Sequence, residues 1–99
     1  MPRFSVYANP EGPGYLMDVQ ANLLSHLNTR MVVPLLPQTS APTPARTLNP
    51  LFEIDGLACV MVTQFMAAVP QKMLSAKVLS VEDRAHDVVA ALDCLFQGV

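Results

Sequence analysis

Apolar and polar positions alternate in short runs over most of the chain, and helical spacing appears only near its end. Residues 4–7 (Phe4, Ser5, Val6, Tyr7) form one alternating run. Residues 15–20 form another, with Tyr15, Met17 and Val19 on one face and Leu16, Asp18 and Gln20 on the other. Between them Asn9-Pro10-Glu11-Gly12-Pro13-Gly14 is a dense turn cluster, so the two runs predict a hairpin. Residues 31–36 read as a strongly apolar strand. Pro34 inside it has no N–H to give to a ladder, which predicts an edge position or a bulge. Residues 51–54 and 57–63 flank Asp55-Gly56, a pair that favours a tight turn with positive backbone angles. Residues 65–70 are a further apolar run that ends at proline.

Two segments lack a strand pattern. In residues 21–29, Leu23, Leu24 and Leu27 suit an amphipathic turn, while Ser25, His26 and Asn28 favour a loop. Residues 37–50 carry Pro37, Pro42, Pro44 and Pro50 without periodicity, which predicts a long, poorly ordered loop. The chain closes with a predicted helix. Ser80 can cap it, and Glu82 and Asp83 fall in the first turn, where anionic side chains suit the helix dipole. Val81, Ala85, Val88, Val89, Leu92, Leu95 and Phe96 recur at helical spacing, Arg84 and Asp87 lie off that stripe, and Gly98 is the stop. Strands followed by one helix predict an α+β fold: a small antiparallel sheet or partly closed barrel with a C-terminal helix, in one domain spanning residues 1–99.

Composition adds a problem to this pattern. Apolar residues make up 52% of the 99 positions and charged residues 14%, against about 25% charged in an average domain. That balance excludes a disordered chain. The net charge of −2 argues against binding nucleic acid by neutralising phosphates. A domain this small cannot bury so large an apolar share, so the excess is predicted on a partner-facing surface. The longest uncharged stretch, residues 56–71, is interrupted by Thr63, Gln64 and Pro70 and falls short of the roughly 20 apolar residues of a membrane span. The start lacks the apolar core of a signal peptide. A cytoplasmic location away from the membrane is therefore expected.

Candidate chemistry is sparse. There is no Gly-rich phosphate loop, no GxSxG, no HExxH and no Cys/His pair at a telling spacing. Cys59 and Cys94 lack CxxC spacing and read as two buried, reduced thiols. His86, between Asp83 and Asp87, reads as a solvated helix surface with no metal. Glu53 and Asp55 read as edge and turn residues. Arg30 precedes the apolar strand and reads as a structural ion pair with Asp18 or Glu53, with a phosphate contact as the other reading. So few reacting groups favour a binding protein without cofactors over an enzyme. The apolar end Phe96-Gln97-Gly98-Val99 either packs on its own core or serves as a contact tip.

Several motifs then occur together. Phe4-Ser5-Val6-Tyr7, Asp18-Val19-Gln20 with Leu23-Leu24, and Arg30-Met31-Val32-Val33-Pro34-Leu35 are followed by Leu48-Asn49-Pro50, Met61-Val62-Thr63 and Met66-Ala67-Ala68-Val69-Pro70. With the final helix and Gly98-Val99, their order and spacing resemble the CcdB toxin family over nearly the whole chain. The resemblance implies an SH3-like barrel or sheet with a C-terminal helix, a fold shared with the Kid and MazF ribonuclease toxins. It implies a homodimer that binds the A subunit of DNA gyrase and traps the enzyme with cleaved DNA. It further implies neutralisation by a CcdA-like antitoxin, through a disordered C-terminal segment of that partner. No enzymatic activity and no direct nucleic-acid contact are implied.

The resemblance also implies a gyrase-binding set. Leu23 and Leu24 stand where the family has isoleucines, Asp93 where it has asparagine, and Phe96 keeps the aromatic. The family end Trp-Gly-Ile is Gln97, Gly98 and Val99 here. Gln97 lacks the flat face that can stack on an arginine, and Asp93 adds a charge, so the resemblance implies a weakened or retuned poison. Two other readings stand beside it: a non-toxic module that still binds an antitoxin, and an endoribonuclease of the Kid/MazF type with Arg30 as its candidate residue.

Overall fold

In the computed structural model, which describes residues 2–98, seven strands form one antiparallel sheet curled into a half-barrel, followed by one helix. The strands are β1 (Ser5–Ala8), β2 (Tyr15–Asp18), β3 (Thr29–Pro37), β4 (Leu51–Ile54), β5 (Leu57–Met61), β6 (Ala67–Pro70) and β7 (Lys77–Ser80). The helix is α1 (Ala85–Gln97). The strand order is β4-β5-β3-β2-β1-β7, with β6 also on β3. This is the α+β architecture that the alternation predicts.

The long strand β3 organises the sheet. One side of it pairs with β2, from Asp18↔Val32 to Tyr15↔Leu35. The other side is divided: residues 29–32 pair with β6 and residues 35–37 with β5. Pro34 therefore sits in an interior strand, in unbroken register with Leu16, at neither the edge nor the bulge that the sequence suggests. Its carbonyl accepts the Val62 N–H at 3.0 Å. In a strand the N and O of one residue point to the same side. The Pro34 nitrogen thus faces the place where β6 has ended and β5 has not begun, and no ladder bond is lost.

The Asp-Gly turn forms as predicted. Asp55 and Gly56 have φ of 50° and 80°, and the hairpin closes on Ile54↔Leu57. A Cβ added at Gly56 would meet nothing within 4 Å. Gly56→Ala is expected to cost about 1 kcal/mol from backbone strain alone, read as a lower urea midpoint.

Both faces of the sheet are covered. On one, Val6, Met17, Val33, Leu35 and Ile54 pack in one cluster with Val88 and Ala91 of α1. On the other, Tyr7, Leu16 and Val32 pack with Leu74, in the segment that leads to β7. That strand is absent from the sequence prediction. It pairs with β1 through Ser5↔Ser80 and Val6↔Leu79.

Contrary to the sequence reading, and with Arg84 at the N-cap position of α1, Ser80 does not cap the helix. Its Oγ accepts the Glu82 N–H at 3.2 Å, and residues Glu82–Arg84 form a 3-10 turn before α1 begins at Ala85. Val81 explains the delay: it is buried, and its N–H is still bonded to the Phe4 carbonyl at 2.9 Å. Arg84 then fastens the start of the helix to β4. Its guanidinium lies 4.2 Å from the Phe52 ring centroid, and its Nη1 donates to the Leu51 carbonyl at 2.9 Å.

The Pro-rich stretch 38–50 forms no strand or helix, yet its far end is tied to the sheet. Asn49 is buried, accepts the Ala45 N–H at 3.0 Å, and donates to the Met61 carbonyl at 3.0 Å and Gln64 Oε1 at 2.8 Å. The poor order expected of the whole segment therefore does not fit residues 45–49.

Candidate functional site

The segment between β2 and β3 holds the first expected contact pair. Asn22–Leu24 form a 3-10 turn, closed by the Leu24 N–H on the Ala21 carbonyl at 3.0 Å. None of its residues is buried, and Leu23 is 86% exposed. Several polar contacts tie this loop to the strands on either side. Gln20 Oε1 accepts the Met31 N–H at 3.0 Å, while its Nε2 donates to the Leu24 and Thr29 carbonyls at 3.1 and 3.2 Å. Arg3 adds a tie from the other side, with its N–H on Asn22 Oδ1 at 2.7 Å and its Nε on the Val19 carbonyl at 2.9 Å.

Beneath the loop lies a buried ion pair. Arg30 Nε and Nη2 approach Asp18 Oδ2 at 2.8 and 2.7 Å, and both side chains are fully buried. Asp18 Oδ1 accepts the Gln20 N–H at 3.0 Å. Of the two acids the sequence offers to Arg30, the fold selects Asp18. Asp18 lies opposite Val32, two residues from Arg30 on the same face of β3, whereas Glu53 is exposed on the edge strand β4. Burial pushes the Asp18 carboxyl above its ordinary range, against the lowering effect of the Gln20 N–H and of Arg30. Arg30 presents no surface to a phosphate, which removes the phosphate reading of that residue.

The helix end holds the second patch. The predicted apolar stripe of α1 divides in two. Val88 is buried, with Ala85 and Leu92 packed against the core, while Val89, Leu95 and Phe96 face solvent. Ala91, also buried, is missing from the predicted stripe although it lies beside Val88 at helical spacing. Phe96 is 71% exposed, so it does not pack on the core of its own chain. Gly98 ends the helix with φ of 73° and its N–H on the Cys94 carbonyl at 3.1 Å. Gln97 and Gly98 are exposed and Asp93 is half-buried. Val99, the last expected contact residue, lies outside the described residues.

The fold leaves the Leu23–Leu24 pair and the Phe96–Gly98 tip on separate elements. No hydrogen bond or ion pair among the described residues joins them. An open cleft of about 900 Å³ lined by Asn28, Thr29, Pro70, Gln71, Lys72, Leu74 and Ser75 contains none of the expected contact residues. Among the described residues, no three His, Cys, Asp or Glu side chains stand close enough to hold a metal. Both cysteines are free; Cys59 is buried, which pushes its thiol up, but Cys94 is only half-buried, contrary to the sequence reading. No helix is long and apolar enough to cross a membrane.

These features define an α+β half-barrel that displays apolar patches on a loop and a helix end. The chain matches the family described as CcdB protein over residues 3–98, and it belongs to that family. It is accordingly a toxin of a toxin–antitoxin system, from a family that inhibits gyrase and does not act as a classical enzyme.

Proposed function

We propose that this single-domain protein acts as a homodimer in the bacterial cytoplasm. It binds the A subunit of DNA gyrase through Leu23, Leu24, Asp93, Phe96, Gln97, Gly98 and Val99, and traps the enzyme with cleaved DNA. The observation that carries the reading is the exposure of Phe96 at the end of α1. A large aromatic left in water on a family scaffold is a surface that a partner can bury, at a gain of about 1.5–3 kcal/mol. The outward Val89 and Leu95 on the same helix support a dimer that sets two such tips side by side. A CcdA-like antitoxin neutralises the protein by occupying it. The test is a gyrase cleavage assay with purified protein. Trapped cleaved DNA at micromolar concentration supports the reading, and its absence refutes it.

Gln97 makes the contact weaker than a tryptophan would. Gln97→Trp is expected to tighten binding to a gyrase A fragment about thirtyfold, or about 2 kcal/mol, by titration calorimetry. An unchanged affinity would remove position 97 from the contact. The same residue favours one other reading, a non-toxic protein that binds an antitoxin. Normal growth when the protein is expressed without antitoxin in a gyrase-sensitive bacterium favours that alternative.

A further inference from the structure

We propose that Gln20 is a positioning residue for the Leu23–Leu24 contact. Its side-chain amide locks the loop of residues 21–29 in the shape that holds Leu23 toward solvent. The inference rests on the gyrase contact proposed above.

A glutamine amide offers one oxygen acceptor and two N–H donors. Here they reach three places: the Leu24 carbonyl at the turn, the Thr29 carbonyl at the loop's far end, and the Met31 N–H just beyond it. One side chain thus joins the start, the turn and the end of the loop. Arg3, by contrast, touches only the near side, through Asn22 and Val19. Gln20 is itself fixed from below, because its N–H is bonded to Asp18 Oδ1 and the other Asp18 oxygen is held by the buried Arg30. Rigidity therefore runs from the sheet interior through Asp18 and Gln20 to Leu24. Without the clamp the exposed turn must be ordered when the partner binds, and that ordering subtracts from affinity.

Gln20→Met keeps length and approximate volume and removes all three side-chain bonds. The expected result is at least tenfold faster hydrogen exchange at the loop amides and at Met31, with β2 and β5 still protected. Affinity for a gyrase A fragment should fall about tenfold. In a background with Leu23→Ala and Leu24→Ala together the same substitution should change affinity less than twofold, because the clamp acts through those two side chains. Unchanged loop exchange overturns the proposal, and so does an equal affinity loss with and without the two leucines. Should Gln20→Met not fold, Gln20→Glu serves instead. It keeps the acceptor for Met31 but turns a carboxylate on two carbonyls, so fast exchange at Leu24 with Met31 protected supports the clamp and wild-type exchange throughout overturns it. If the wild-type protein binds no gyrase fragment, the proposed function fails and the positioning role fails with it, while loop exchange still reports whether the clamp exists.

Discussion

Replacing Arg30 by methionine is expected to remove about 3–5 kcal/mol of folding stability, out of a total of about 5–15 kcal/mol for a typical domain. The substitution takes both guanidinium contacts, at 2.8 and 2.7 Å, from a fully buried Asp18 and leaves it the Gln20 N–H. The double variant Asp18→Leu with Arg30→Met should be less damaging than the single one, because it strands no buried charge. Urea midpoints at constant m give the comparison.

The deficit should also depend on pH. Burial already holds the Asp18 carboxyl above its ordinary range, so the folded chain binds that proton more tightly than the unfolded chain. The linked stability is fully present below the unfolded value and is lost as pH rises through the folded one. Removing Arg30 takes away a lowering influence and raises the folded value further. Arg30→Met should therefore recover part of its deficit relative to wild type as pH falls from neutrality toward about 4. A deficit constant across that range would show that Asp18 is not the stranded group.

Gly14→Ala is the second large effect, at about 2–5 kcal/mol. Gly14 has φ of 88°, and a Cβ there would lie 2.2 Å from the Leu35 carbonyl oxygen and 3.2 Å from Pro37 Cδ. The backbone angle costs about 1–2 kcal/mol. The clash with a main-chain atom of β3 adds about 1–3 kcal/mol by pushing the β1–β2 turn away. Gly56→Ala is the control, since it has the same sign of φ and open space around it. Equal losses for the two variants, measured side by side in urea, would mean that the approach to Leu35 carries no cost.

Local signals account for the elements that were legible in the sequence. The alternation in residues 15–20, the Asp55-Gly56 turn and the helical spacing after Val81 each belong to a few consecutive residues. What stayed hidden depends on distant ones. Lys77–Ser80 is a strand because it covers the free edge of β1, from the other end of the chain. Pro34 looked out of place because the sequence does not show that the ladder changes partner beside it. The excess of apolar residues does leave large apolar side chains in solvent, but composition could not say that Leu23 and Phe96 would be the most exposed of them. The family resemblance pointed to them. Gln20 gave no signal at all, because a polar residue at the end of a strand looks the same whether it meets water or spans a loop.

The division of β3 among three partners bears on how the molecule is made. As the chain is synthesised, β1, β2 and β3 can pair early, but one side of β3 stays open until β5 and β6 have emerged. The β1–β7 pairing then joins the two ends of the chain, a distant contact of the kind that places β-rich folding in the millisecond-to-second range. The segment carrying Phe96 follows all of these strands. The exposed helix end is therefore the last part of the described structure to be synthesised.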